Sequence, residues 1–137
     1  MKGYYSLIQF CPDLSRQESI NIGVLVYCPE TGGLEALIGH SNERISKVFG
    51  SQDPVFLDRC RDSVAERLGL GFPTVEDLRG YIETRANAIQ CTALRSLTLE
   101  NITVDVCTLY TKLIGTGPTR YIAHQPSAVL PPMDSPR

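Results

Sequence analysis

The chain has 137 residues, of which 42% are hydrophobic and 20% charged, with a formal net charge of −2. That length suits one domain with its own core. The charge gives no electrostatic case for nucleic acid, and the absence of a run of 18 apolar residues leaves no transmembrane helix.

The N-terminus, Met1-Lys2-Gly3-Tyr4-Tyr5, leads straight into a strand pattern. It lacks the apolar run and small-residue cleavage site of a secretory signal. The cytoplasm is therefore the expected compartment. Residues Tyr4 to Cys11 read as a first strand with apolar residues on both faces, closed by Pro12, which cannot donate to a ladder. Residues Ile20 to Cys28 read as a second. Strict alternation puts Ile20, Ile22, Val24, Val26 and Cys28 on one face, and Gly23 suggests a bulge or a close backbone approach or, more cheaply, a neighbouring side chain packed over it. The polar turn between them carries Pro12, Asp13, Arg16 and Glu18. Pro29 to Gly33 form a turn cluster. A third strand, Leu34 to Gly39, completes an antiparallel meander, with Leu34, Ala36 and Ile38 on one face.

His40 to Gly50 read as a loop and a short helix capped by Ser41 or Asn42, with Ile45 and Val48 inward. Asp53 and Pro54 are suited to open a longer helix. Its stripe is Leu57, Cys60, Val64 and Leu68, and Gly69 is placed to close it in the left-handed conformation. Thr74 and Asp77 have approximate capping-box spacing for a further helix. Leu78, Ile82, Arg85 and Ile89 run along it. Leu94 to Glu100 read as a fourth strand. Thr103 to Ile114 fit a helix face through Val106, Leu109, Tyr110 and Leu113, while their Thr and Val content keeps a strand open. From Gly115 onward five prolines fall within 23 residues.

These elements predict an α+β fold: an antiparallel sheet of about four strands with helices packed mainly on one side. Residues 1–115 form the single domain, and 116–137 a Pro-rich, flexible tail from which a small extra strand is conceivable.

The five cysteines, Cys11, Cys28, Cys60, Cys91 and Cys107, are odd in number, lack C-x-x-C spacing and sit in apolar patterns. Cys11 and Cys28 fall ~25 Å apart along the hairpin, beyond disulfide reach. Reduced, buried thiols are expected. Neither His40 nor His124 has metal-ligand spacing, so no metal or other cofactor is expected. The sequon Asn101-Ile102-Thr103 carries no meaning without secretion. Gly69-Leu70-Gly71-Phe72-Pro73 lacks the spacing and the Lys-Ser/Thr of a phosphate-binding loop.

The densest polar group is Asp13, Arg16, Glu18 and Asn21, with Arg44 in a second cluster after strand three. As a site, these residues form a contact surface for a partner or ligand at the exposed end of a rigid ribbon. As plain structure, Asp13 closes the turn through its own side chain, Arg16 pairs with Glu18, and Asn21 satisfies a buried backbone group. A catalytic alternative has Asp13 and Glu18 hold a metal while Arg16 steadies a phosphate, a hydrolase or nuclease arrangement that wants a third carboxylate. His40 and Ser41 are adjacent in sequence and no nucleophile elbow surrounds them, so capping explains them better. The alternating charges from Asp58 to Arg67 read as a solvated helix face.

The run Tyr5-Ser6-Leu7-Ile8-Gln9-Phe10-x-Pro12-Asp13, then Arg16 and Glu18, then Asn21-x-Gly23-Val24-Leu25-Val26, resembles the N-terminal signature of DUF3037. This is a bacterial family of unknown function whose pattern is close to Y-S-x-x-x-x-x-P-D, R-x-E, N-x-G-V. The resemblance spans residues 4 to 115; beyond the N-terminal motif it rests on the order of helices and strands. Arg44 corresponds loosely to a basic family position. Cys11 and Cys28 stand where the family has plain hydrophobic residues. Members are associated with neighbouring HipA-like kinases, which implies a partner and not a chemistry. The expected function is a non-catalytic accessory or interaction protein with a protein partner, such as a HipA-like kinase. The alternatives are a small-ligand or nucleic-acid sensor using the sheet and the metal-dependent hydrolase above. A free sheet edge also offers pairing between copies.

Overall fold

A computed structural model describes residues 1–84 and 88–126. The elements in order are β1 (Lys2–Phe10), a 3-10 turn (Leu14–Arg16), β2 (Ile20–Cys28), β3 (Gly33–Gly39), α1 (Glu43–Phe49), α2 (Pro54–Gly69), α3 (Val75–Glu83), β4 (Ile89–Cys91), β5 (Arg95–Thr98), α4 (Ile102–Leu113) and β6 (Thr119–His124). The meander β1-β2-β3 forms the centre of an antiparallel sheet. The free edge of β1 is shared by β4 and β5, and β6 pairs with β3 on the other side.

The α+β class and the meander hold, but the sheet has six strands where about four are expected. Two were hidden for different reasons. The helical line drawn from Leu78 to Ile89 overruns: α3 ends at Glu83, and Ile89 opens the three-residue β4. Arg85, on the same line, lies outside the described residues. The second comes from the segment assigned to a flexible tail, where the small extra strand held conceivable is present: Thr119–His124 add β6 to the sheet. Thr103 to Ile114 resolve as helix: the Asn101 side chain caps α4 by accepting from the Val104 amide.

A bulge in β2 decides how the layers divide. Ile8 pairs with Gly23 and Gln9 with Asn21, so Ile22 is the extra residue. Strict alternation fails there, and the expected single face splits. Ile20 and Ile22 join Leu25 and Tyr27 in one core, while Val24, Val26 and Cys28 belong to the other. Gly23 permits this because an added Cβ would stand 2.6 Å from the Leu37 carbonyl oxygen.

The larger core packs the helices that follow β3 against Ile8, Phe10, Leu34, Ala36 and Ile38. The α2 stripe Leu57, Cys60, Val64 and Leu68 is buried as expected, behind an Asp53 cap on the Val55 amide. The smaller core sets Val106 and Tyr110 of α4 on Val24, Val26 and Leu37. Three helices therefore lie on one face and one on the other. Burying both faces explains why strands β1 to β3 read as nearly continuous hydrophobic runs.

Other local expectations need correction. Gly71 (φ +75°), not Gly69, takes the left-handed position after α2, and an added Cβ there would collide with the His124 ring. Ile45 is buried, but Val48 is 60% exposed. Cys11, Cys28 and Cys60 are buried thiols, whereas Cys91 is half-buried and Cys107 exposed. Among the described residues no helix is long and apolar enough to cross a membrane.

Candidate functional site

Antiparallel pairing brings the ends of β1 and β3 and the starts of β2, β4 and β6 to one end of the sheet. All five residues singled out from sequence lie there. The β1–β2 turn closes by local chemistry. Asp13 Oδ1 accepts from the Ser15 amide at 3.0 Å and from the Ser15 hydroxyl at 2.6 Å. These bonds, with a smaller contribution from Arg16, hold the Asp13 carboxyl below its usual pKa. Gln17, at φ 56°, turns the chain out of the 3-10 segment. Arg16 then pairs with Glu18 at 2.9 Å, with both side chains more than half exposed.

Asn21 departs from its expected role. Its Oδ1 accepts from the Gln9 amide nitrogen at 2.9 Å, and Gln9 Oε1 accepts from Gln90 at 3.0 Å. The result is a ladder of side-chain amides across β4, β1 and β2 instead of a bond to a buried backbone group. Arg44, from α1, donates through Nη1 to the carbonyls of Asn21 at 3.4 Å and Ile114 at 3.0 Å. It thus bridges the start of β2 and the C-terminal end of α4.

These residues frame three adjoining recesses. Pro12, Asp13, Arg16, Glu18, Val48 and Gln52 line the first. Gln9, Ser19, Asn21, Arg44, Lys47 and Val48 line the second. The third runs inward from Asn21 and Arg44 past Ser41 to Tyr110 and Gly117. Val48 joins the first two, and Asn21 and Arg44 join the last two. The Ser41 hydroxyl accepts from the Glu43 amide, which accounts for its place before α1; Asn42, at the N-cap position, makes no side-chain cap.

The signature residues Pro12, Asp13, Arg16, Glu18, Asn21 and Gly23 thus fall in the turn, the bulge and the start of β2. The chain matches the profile described as "Protein of unknown function (DUF3037)" over residues 5–114. It belongs to the DUF3037 family. No curated protein and no solved structure matches it significantly. Within this DUF3037 chain, motif residues divide by task. Asp13 and Gly23 shape the backbone, while Arg16 and Glu18 present charge.

The sequence reading missed Lys47 and Tyr110 at the site. Lys47 lies three residues after Arg44 on α1, a spacing that puts both on one side of a helix. Tyr110 comes from a distant helix, and only the fold brings it here. Burial pushes its hydroxyl pKa up, and the guanidiniums of Arg44 and Arg61 pull it part of the way back. Elsewhere Arg61, buried on α2, donates to the carbonyls of Gly39 and Ser41 and fastens the end of β3. Glu35, 2% exposed, accepts from the Thr103 hydroxyl beneath the first turn of α4. Among the described residues no three His, Cys, Asp or Glu side chains converge as a metal site.

Proposed function

We propose that this DUF3037 protein is a non-catalytic accessory module that docks on a protein partner through the turn end of its sheet. One observation carries the reading. Val48, apolar and 60% exposed, shares a recess with the exposed Arg16–Glu18 pair at the turn end of the sheet. An apolar centre with a charged rim is the anatomy of a protein contact. The HipA-like kinases suggested by the family resemblance are the first partner to test, in a bacterial cytoplasm where cysteine thiols stay reduced. A hydrolase built on Asp13 and Glu18 finds less support, because Ser15 and Arg16 already engage the two carboxylates.

The test is affinity purification of the tagged chain from its host at natural expression, with mass spectrometry of what co-purifies. A stoichiometric protein held in high salt and lost on Val48→Asp or Arg16→Ala is the expected result. A clean preparation, or a partner indifferent to both changes, overturns the docking surface. A second reading, a small-ligand sensor, is favoured by the Gln90–Gln9–Asn21 amide ladder beside Arg44 and Lys47. Ligand-dependent stabilisation of the isolated chain would distinguish it.

A further inference from the structure

The second and third recesses are lined by two cations, Arg44 and Lys47, and among the described residues by no carboxylate. This is notable on a chain whose acidic residues outnumber its Lys and Arg by 15 to 13. Arg44 forms no ion pair among the described residues. Both of its carbonyl bonds use Nη1. Among the described residues Nε and Nη2 make no hydrogen bond, and together they form a planar fork, the geometry that receives a carboxylate through two parallel bonds. The third recess also has Ser41, Tyr110 and Thr116 in its lining. Gly39 makes room for that tyrosine: an added Cβ would stand 2.5 Å from the Tyr110 hydroxyl.

Capping of α4 explains one nitrogen of Arg44 and leaves the rest of the donor set unexplained. Two cations also fall short of the basic stripe that a nucleic-acid backbone requires. We propose that this recess receives a carboxylate side chain from an acidic segment of the partner, with Arg44 holding it and Lys47 at the entrance. This assignment rests on the docking reading above and adds the chemistry of what docks.

The test uses the full chain, labelled with nitrogen-15, and a ten-residue glutamate peptide. A glutamine peptide of equal length, inorganic phosphate and a single-stranded oligonucleotide are run alongside. The glutamate peptide should bind in a salt-sensitive manner and shift the Arg44 Nε–H and Gly117 amide signals. Arg44→Gln should weaken it about tenfold or more. Because Arg44 also ties α4 to β2, Lys47→Gln serves as the second variant; it should cost a few-fold in affinity with an unchanged melting temperature. Equal binding of the glutamine peptide overturns the proposal. So does tighter binding of phosphate or oligonucleotide, or affinity that survives both substitutions. The two proposals fail separately. A partner captured by the wild type and retained by both variants sinks the carboxylate recess alone. Peptide binding at Arg44 without any captured partner sinks the docking reading alone.

Discussion

Tyr27→Phe removes one oxygen atom from the centre of the larger core. Tyr27 is fully buried, and its hydroxyl donates to the Phe72 carbonyl at 2.7 Å. That bond anchors the linker between α2 and α3. The Phe72 ring lies 4.1 Å from the Arg67 guanidinium and 5.5 Å from the Tyr81 ring. Phenylalanine keeps the ring and its packing, so the change isolates the bond. A net hydrogen bond is worth roughly 0.5–1.5 kcal/mol, and a buried carbonyl left without its donor costs about 1–3 kcal/mol. A loss of about 1.5–3 kcal/mol follows, which for a chain of this length lowers Tm by roughly 5–10 °C. Urea unfolding followed by circular dichroism gives the free energy, and the slope should be unchanged. A loss below about 0.5 kcal/mol would show that the linker is held by ring packing alone and refute the argument.

Gly23→Ala forces a methyl against the Leu37 carbonyl and should cost about 1–3 kcal/mol. Gly80→Ala, inside α3 with nothing within 4 Å of the new methyl, should gain roughly 0.5–1 kcal/mol, so paired melting curves move in opposite directions. Arg16→Ala and Glu18→Ala should each leave stability within about 1 kcal/mol by the same assay, because their pair is exposed. Burial pushes the Tyr81 hydroxyl and the Cys91 thiol up to about 12, from ordinary values of 10.0 and 9.0. Once the pH passes those ordinary values the unfolded chain loses protons that the folded chain keeps. The stability is therefore complete below about pH 9 and declines towards about pH 12. Urea midpoints taken under reducing conditions across that window should fall, and the combination of Tyr81→Phe and Cys91→Ala should flatten the decline.

What could be read from the chain alone was chiefly local. Asp53 and Pro54 announced α2, Thr74 announced α3, and the Asp13 turn followed from a side chain bonding to its own neighbours. Each is a rule that operates over three or four residues. The bulge at Ile22 defeats a reading based on period two, because its position depends on where β1 pairs. β4 is three residues long and continues a helical line, so no pattern separates it from α3. β6 had a signal, Arg120, Ile122 and His124 on one side and Tyr121 on the other, masked by the prolines around it. At the site, the charges of Asp13, Arg16 and Glu18 could be seen in advance. The partners of Arg44 could not, because Asn21 and Ile114 lie 23 and 70 residues away and only the sheet brings them within reach.

The family match begins at Tyr5 and stops at Ile114. β1 begins at Lys2, and the Met1 amino group donates to the Leu99 carbonyl. At the other end, β6 supplies the outer neighbour of β3, held to α2 by Arg120 with Asp62 and by His124 with Gly69. A fragment trimmed to the match would keep every signature residue and lose the strip of backbone that closes β3. It would present a nearly continuous apolar strand with unfilled donors and acceptors along one side, a template for sticking to itself. Precipitation of such a fragment would thus reflect where it was cut, and expression of this chain should extend through Thr119–His124.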